Sequence, residues 1–220
     1  MREVDRGVWH WEGPHPDWAG PENEAFRQRL ATTDQAPNEA ARGLVSSYAI
    51  DDGERLLLFD PLAVPREIEE LAARREPVVV LTSPWHERDT RSLVERLGAE
   101  VFTPPPDEGT PDVAWLLGGH KSDAHLYSGG DRLPVGVEAF PGRLPNDVVL
   151  WVGDSRAVIA GDTLVDFGRG LEIPVEWLPA DVTREQVAKS LERLLDLPVD
   201  VVLATHGGPT DRASLVRALA

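Results

Sequence analysis

The run Val78-Val79-Val80-Leu81-Thr82, bounded by Pro77 and Pro84, constrains this chain more than any other stretch. Three consecutive β-branched residues in a short apolar segment predict a strand buried on both faces. The run stops in Trp85-His86-Glu87-Arg88-Asp89-Thr90, a cluster of ionisable side chains. A loop at the end of a central strand is where a rigid scaffold presents polar groups to a ligand. Asp89 or Thr90 can cap a following helix whose Leu93, Val94 and Leu97 share one face, and Gly98 ends it. His86, Glu87 and Asp89 are thereby placed within a few residues of one another.

Composition excludes several classes. With 220 residues and 41% hydrophobic content, the chain can bury the core of a single domain spanning residues 1–220. No apolar run is long enough to cross a bilayer, and the polar start at Arg2, Glu3 and Asp5 is unlike a signal peptide, so the expectation is a cytoplasmic protein. Cys is absent, so any metal would be held by His, Asp and Glu. A net charge of -16 repels nucleic acid and anionic membranes and leaves a small molecule as the expected partner. The oligomeric state is not written in the sequence.

Taken in order, Gly7 to Trp11 predicts a short strand, and a long ordered loop occupies about residues 10–43. His10, Trp11, His15 and Trp18 cluster there, and either line one wall of a binding site or pin the loop to the core. Val45–Ile50 and Arg55–Phe59 flank Asp52-Gly53, a hairpin signal, and a helix is expected over about 65–74. Residues 112–134 read as irregular, with His120 and His125 as surface histidines. Strands resume at Val135–Phe140, Val148–Val152 and Ala157–Ala160. Thr183-Arg184-Glu185-Gln186 is a capping-box pattern, and Val199–Ala204 is a buried strand running into Thr205-His206-Gly207.

The two halves echo each other. Arg55 to Leu62 and Arg156 to Leu164 are each a strand ending in Asp, Asp60 and Asp162, with Leu two residues on. Each is followed by a helix and by a second apolar strand leading to a His, His86 and His206. Two such halves packed face to face would bring their polar ends to one cleft.

These residues resemble the metallo-β-lactamase-fold superfamily over nearly the whole chain. The frame of that family is a strand with Leu-Thr and H-x-H-x-D-H, a Pro-Gly-His loop, Gly-Asp-Thr, and a strand ending in His-Gly. Here it reads Leu81-Thr82, Trp85 to Thr90, Pro141-Gly142-Arg143, Gly161-Asp162-Thr163 and Thr205-His206-Gly207. The resemblance implies an α+β fold, a four-layer αβ/βα sandwich of two mixed sheets face to face with helices outside. It also implies that the ligand motif is degraded: Trp85, Glu87, Thr90 and Arg143 stand where four His belong, while Asp89, Asp162 and His206 are retained and His86 is shifted by one position.

By that alignment Asp89, Asp162 and His206, with Glu87 or His86, would hold one divalent ion, either Zn, Mn or Fe, or no ion at all. Asp89, His86 and Glu87 are the candidate catalytic groups. Arg143, Arg88, Trp85, His15 and Trp18 are the candidate substrate contacts. Guanidinium cannot ligate a metal, so Arg143 would place a fixed positive charge beside Glu87 or Asp162. Three functions fit: a mononuclear metal-dependent hydrolase of an ester, lactone, amide or thioester; a metal-free binding or interaction module in which Arg143 replaces a metal; and a metal-free acid/base enzyme. Asp60 is expected to stabilise a turn.

Overall fold

The computed structural model describes residues 1–15, 43–107 and 124–220. Within them the first sheet contains β1 (Arg2–Asp5), β2 (Val8–Pro14), β3 (Leu44–Asp51), β4 (Arg55–Phe59), β5 (Glu76–Val80), β6 (Glu100–Thr103) and β7 (His125–Leu126), in that order. The second contains β8 (Arg132–Leu133), β9 (Val137–Leu144), β10 (Asp147–Val152), β11 (Ala157–Ile159), β12 (Val201–Leu203) and β13 (Pro209–Asp211). Both sheets are mixed. Where the echo falls, β4 with β5 and β11 with β12 pair in parallel, and β5 with β6 and β6 with β7 continue the parallel run of the first sheet.

Alternation along the strands explains the layers. Leu57 and Phe59 of β4, Val78 and Val80 of β5, and Val148, Leu150 and Val152 of β10 meet between the sheets. The intervening Leu56, Leu58 and Val79 face the other way, against Ile68 and Ala72 of α1 (Arg66–Ala72) and Leu93 of α2 (Thr90–Leu97). On the second sheet Val149, Trp151 and Val158 pack against Val187 of α3 (Arg184–Ser190) and Leu215 of α4 (Arg212–Leu219). Because side chains of a strand point to opposite faces with period two, a strand apolar at every position needs cover on both sides. The result is the expected four-layer sandwich with helices outside.

Several local details differ from expectation. The first strand does not stop at Trp11 but runs to Pro14, paired along its length with β3, and β1 adds an edge that the polar sequence Arg2-Glu3-Val4-Asp5 does not advertise. Residues 112–134 were expected to be irregular, yet β7 and β8 lie there; a two-residue strand has no periodicity to read. His125 stacks on Phe102 and pairs with Glu100 at 3.0 Å, and so fastens that edge. His120, Trp18 and most of the long N-terminal loop lie outside the described residues. The predicted caps are present at α3, where Thr183 and Gln186 form a reciprocal capping box, and at Gly98, which ends α2 in the left-handed region.

Candidate functional site

The carboxyl ends of β4, β5, β11 and β12 and the amino ends of β3 and β10 meet at one edge, and hydrogen bonds there pass from sheet to sheet. Val148 N donates to Thr82 O, Ser46 N to Thr205 O, and Tyr48 Oη to Ala204 O. Two glycines permit this closeness. A Cβ at Gly142 would lie 2.2 Å from Asp147 O and 2.3 Å from Thr163 Oγ1, and one at Gly161 would lie 3.0 Å from Val148 O. Each glycine sits beside a charged residue that it delivers, Arg143 and Asp162.

Asp60 is central to the arrangement. It occupies the left-handed region at φ 45° and is buried. Its carboxylate accepts from Thr82 N at 2.8 Å and from Thr82 Oγ1 at 2.6 Å, and lies 3.1 Å from His86 Nδ1. The other ring nitrogen, His86 Nε2, is 3.5 Å from Asp162 Oδ1. His206 Nε2 is 3.5 Å from the same oxygen. Arg143 completes the cluster: NH2 is 3.5 Å from Asp162 Oδ2, Nε is 2.6 Å from Asp147 Oδ2, and NH1 donates to Trp177 O at 3.1 Å. The Nε–H is not aimed at the Asp147 oxygen, so that contact is an ion pair rather than an aligned hydrogen bond.

Acids and cations face one another across the cluster. Asp60, Asp147 and Asp162 face His86, Arg88 and Arg143, with Arg88 donating to Asp60 O. Burial alone would push the His86 ring toward neutrality, but the Asp162 and Asp60 carboxylates override it and raise its pKa to about 9. Burial likewise opposes ionisation of Asp162 and Asp60, and the His86 charge holds both carboxyls below their ordinary value. Burial and the Asp162 charge raise Asp147 despite its Arg143 partner. His206 behaves oppositely: burial outweighs the pull of Asp162 and lowers it to about 4, so its ring is neutral.

Aromatic rings close the outer side. Trp177 and Phe167 lie 5.4 Å and 5.6 Å from the His206 ring, and His15 stacks on it at 5.8 Å. The Arg143 guanidinium sits over Trp85 at 6.0 Å and over Trp177 at 5.7 Å, within cation–π range. Next to Gly207 a cavity of about 510 Å³ is lined by Arg2, His10, Trp11, Glu12, Asp166 and Gly208 among others.

The sequence-predicted residues thus divide. His86, Asp162, His206 and Arg143 come together. Asp89 is the first residue outside α2, but its side chain does not cap the helix; Oδ2 accepts from Val64 N at 3.2 Å, and Asp89 is not among the groups touching Asp162. Glu87 is half-buried and forms no ion pair among the described residues, so Arg143 pairs with Asp162 and Asp147 rather than with Glu87. Arg88 is turned inward to Asp60 O, while Trp85 is 36% exposed at the rim. Sequence reasoning missed Asp147, although an acid next to the wholly apolar Val148-Val149-Leu150 is a signal for a buried charge. It also missed Phe167 and Trp177, which only the tertiary structure brings to His206.

A cleft at the joined strand ends of an αβ/βα sandwich, with acids and imidazoles delivered by both halves, defines a metallo-β-lactamase-type protein. Residues 70–206 match the family described as the Metallo-beta-lactamase superfamily, and the chain belongs to it, as a divergent branch with a degraded metal-ligand motif. Among solved structures, TTHA1623 in a di-iron-bound form is similar at 27% identity and TM-score 0.57, covering 79% of this chain and 93% of that one. VMB-1 at pH 5.5 shares 13% identity at TM-score 0.61, covering 99% and 93%. ETHE1 from Myxococcus xanthus shares 22% at TM-score 0.55, covering 80% and 78%. Nothing among curated proteins matches the sequence.

The metal centre that this family implies does not fit the residues present. The positions of the lost His carry Trp85, Glu87, Thr90 and Arg143, and the Asp162 carboxylate lies among His86, His206 and Arg143. Guanidinium has no lone pair to offer a metal at any relevant pH. Among the described residues, no three His, Asp or Glu side chains are arranged to hold an ion as they stand.

Proposed function

We propose that this chain is a metal-independent member of the superfamily, a binding module for a small organic molecule in which protein cations take the place of metal ions. The observation that carries the reading is Arg143: its NH2 lies 3.5 Å from Asp162 Oδ2 and its Nε lies 2.6 Å from Asp147 Oδ2, so a guanidinium occupies the side of Asp162 that an ion would take. A hydrolase built on a metal-bound water would need the Asp162 carboxylate free for the ion. His86 ties the same carboxylate to Asp60 through its two ring nitrogens, at 3.5 Å and 3.1 Å.

The ligand enters beside His206 rather than over the buried acids. The cavity there has the size of small-molecule pockets. Ser46 Oγ donates to Gly207 O at 2.7 Å, so the 2.8 Å contact from His10 Nε2 to Ser46 is an N–H donation. Burial lowers the His10 pKa to about 4, which leaves a neutral ring whose Nδ1 is an acceptor. A molecule with a hydroxyl or amide donor suits that lining, and nucleic acid and membranes are not among the proposed partners.

Elemental analysis of protein purified without a histidine tag tests the reading. The expected result is less than about 0.1 equivalent of metal and no rise in melting temperature on adding Zn, Mn or Fe(II). One equivalent of bound metal, lost in Asp162→Ala or His206→Ala, overturns it.

A further inference from the structure

The centre is closed to ions, yet part of its geometry is that of a ligand set. His86 Nε2 and His206 Nε2 each lie 3.5 Å from one oxygen, Asp162 Oδ1, and that buried oxygen has no hydrogen-bond partner among the described residues. Donors bound about 2.1 Å from a tetrahedral ion are separated by about 3.4 Å. The two edges therefore match the spacing around an ion, although no ion can be held while a neighbouring cation neutralises the carboxylate.

That neighbour is Arg143, and it is fixed from every side. Its backbone N donates to Thr163 Oγ1 at 3.1 Å, and Gly142 lets the loop press against Asp147 and Thr163. Nε is held by Asp147, NH1 by Trp177 O, and the guanidinium plane by Trp85 and Trp177. The remaining nitrogen, NH2, is directed to Asp162 Oδ2. The side chain is 11% exposed, so it has little freedom to swing out and admit a competitor.

We infer that Arg143 is the specificity-determining residue that closes this centre to divalent cations, and that a neutral side chain there converts it into a one-ion site held by His86, Asp162 and His206. The inference rests on the metal-independent reading and goes further, because it says which residue enforces it. With the guanidinium gone, both oxygens of Asp162 are available, the ion takes the place of the proton on His86 Nε2, which passes to solvent while Nδ1–H keeps its contact with Asp60, and Asp147 is relieved by taking up a proton.

The experiment compares wild type, Arg143→Gln, Arg143→Lys and Arg143→Gln/His206→Ala, each titrated with Zn by calorimetry and assayed for bound metal after gel filtration. Wild type and Arg143→Lys are expected to retain less than about 0.1 equivalent, Arg143→Gln about one equivalent with a raised melting temperature, and the double variant none. If Arg143→Gln proves unfolded, Arg143→Gln/Asp147→Asn removes both members of the buried pair and carries the same expectation. A folded Arg143→Gln or Arg143→Gln/Asp147→Asn protein that binds no metal overturns the inference and leaves the metal-independent reading standing. Stoichiometric metal in the wild type overturns that reading instead.

Discussion

Asp60 and Asp162, which end equivalent strands in the two halves of the chain, are joined through a single imidazole. His86 Nδ1 lies 3.1 Å from Asp60 Oδ2, and Nε2 lies 3.5 Å from Asp162 Oδ1. The ring ties the first sheet to the second at the polar edge, where an apolar contact would leave the buried Asp60 carboxylate without its imidazole and Asp162 with Arg143 alone.

Removing that ring should therefore be costly. His86→Ala removes a cation from two buried acids and leaves Asp162 with Arg143 alone, and breaking a buried pair by deleting one partner costs about 3–5 kcal/mol. Urea unfolding at neutral pH measures it. A loss below about 1 kcal/mol would show that the acids find other partners and that the bridge is not structural.

Stability should depend on pH in a manner set by the histidines. The His86 pKa is raised from 6.5 to about 9, so its contribution is complete below pH 6.5 and is lost as pH rises through about 9. His206 and His10 are lowered from 6.5 to about 4, so their contribution is complete above pH 6.5 and is lost as pH falls through about 4. Denaturant titrations across this range should show both limbs. His86→Gln should flatten the alkaline limb while leaving the acid limb in place.

Gly142 should tolerate no side chain. An added Cβ would meet Asp147 O at 2.2 Å and Thr163 Oγ1 at 2.3 Å, the first held by the pairing of β10 with β9 and the second by the hydrogen bond it accepts from Arg143 N. Gly142→Ala should cost about 3 kcal/mol in thermal or urea unfolding. Gly53→Ala is the control, since nothing lies within 4 Å of its Cβ position and only its left-handed φ of 95° opposes the change.

Asp89 should prove dispensable to the site. Its carboxylate accepts one hydrogen bond, from Val64 N, so Asp89→Asn should cost about 1 kcal/mol of stability. The pH dependence assigned to His86 should be unchanged. If the alkaline limb shifts in this variant, Asp89 faces the charge cluster after all.

The sequence by itself determined the sandwich. Leu56 to Phe59, Val78 to Leu81 and Val148 to Val152 are apolar at successive positions and need cover on both faces, and the echo of the two halves with the family resemblance makes that cover a second sheet on one face and helices on the other. It also determined that Asp60, Asp162, His86 and His206 lie at strand ends, because the echo repeats strand, acid, helix, strand and imidazole. What it could not determine is which charges meet. The spacing from Trp85 to Thr90 brings several ionisable groups to one loop, and whether His86, Glu87, Arg88 or Asp89 turns inward depends on the loop's three-dimensional path, including the left-handed backbone at Arg88. Only the tertiary structure sent His86 and Arg88 to Asp60, Asp89 to Val64 N, and Arg143 to Asp147 and Asp162. The physical reason is that a buried charge chooses its partner by distance and geometry among residues remote in the chain, whereas burial of a β-strand is set by its own neighbours in sequence.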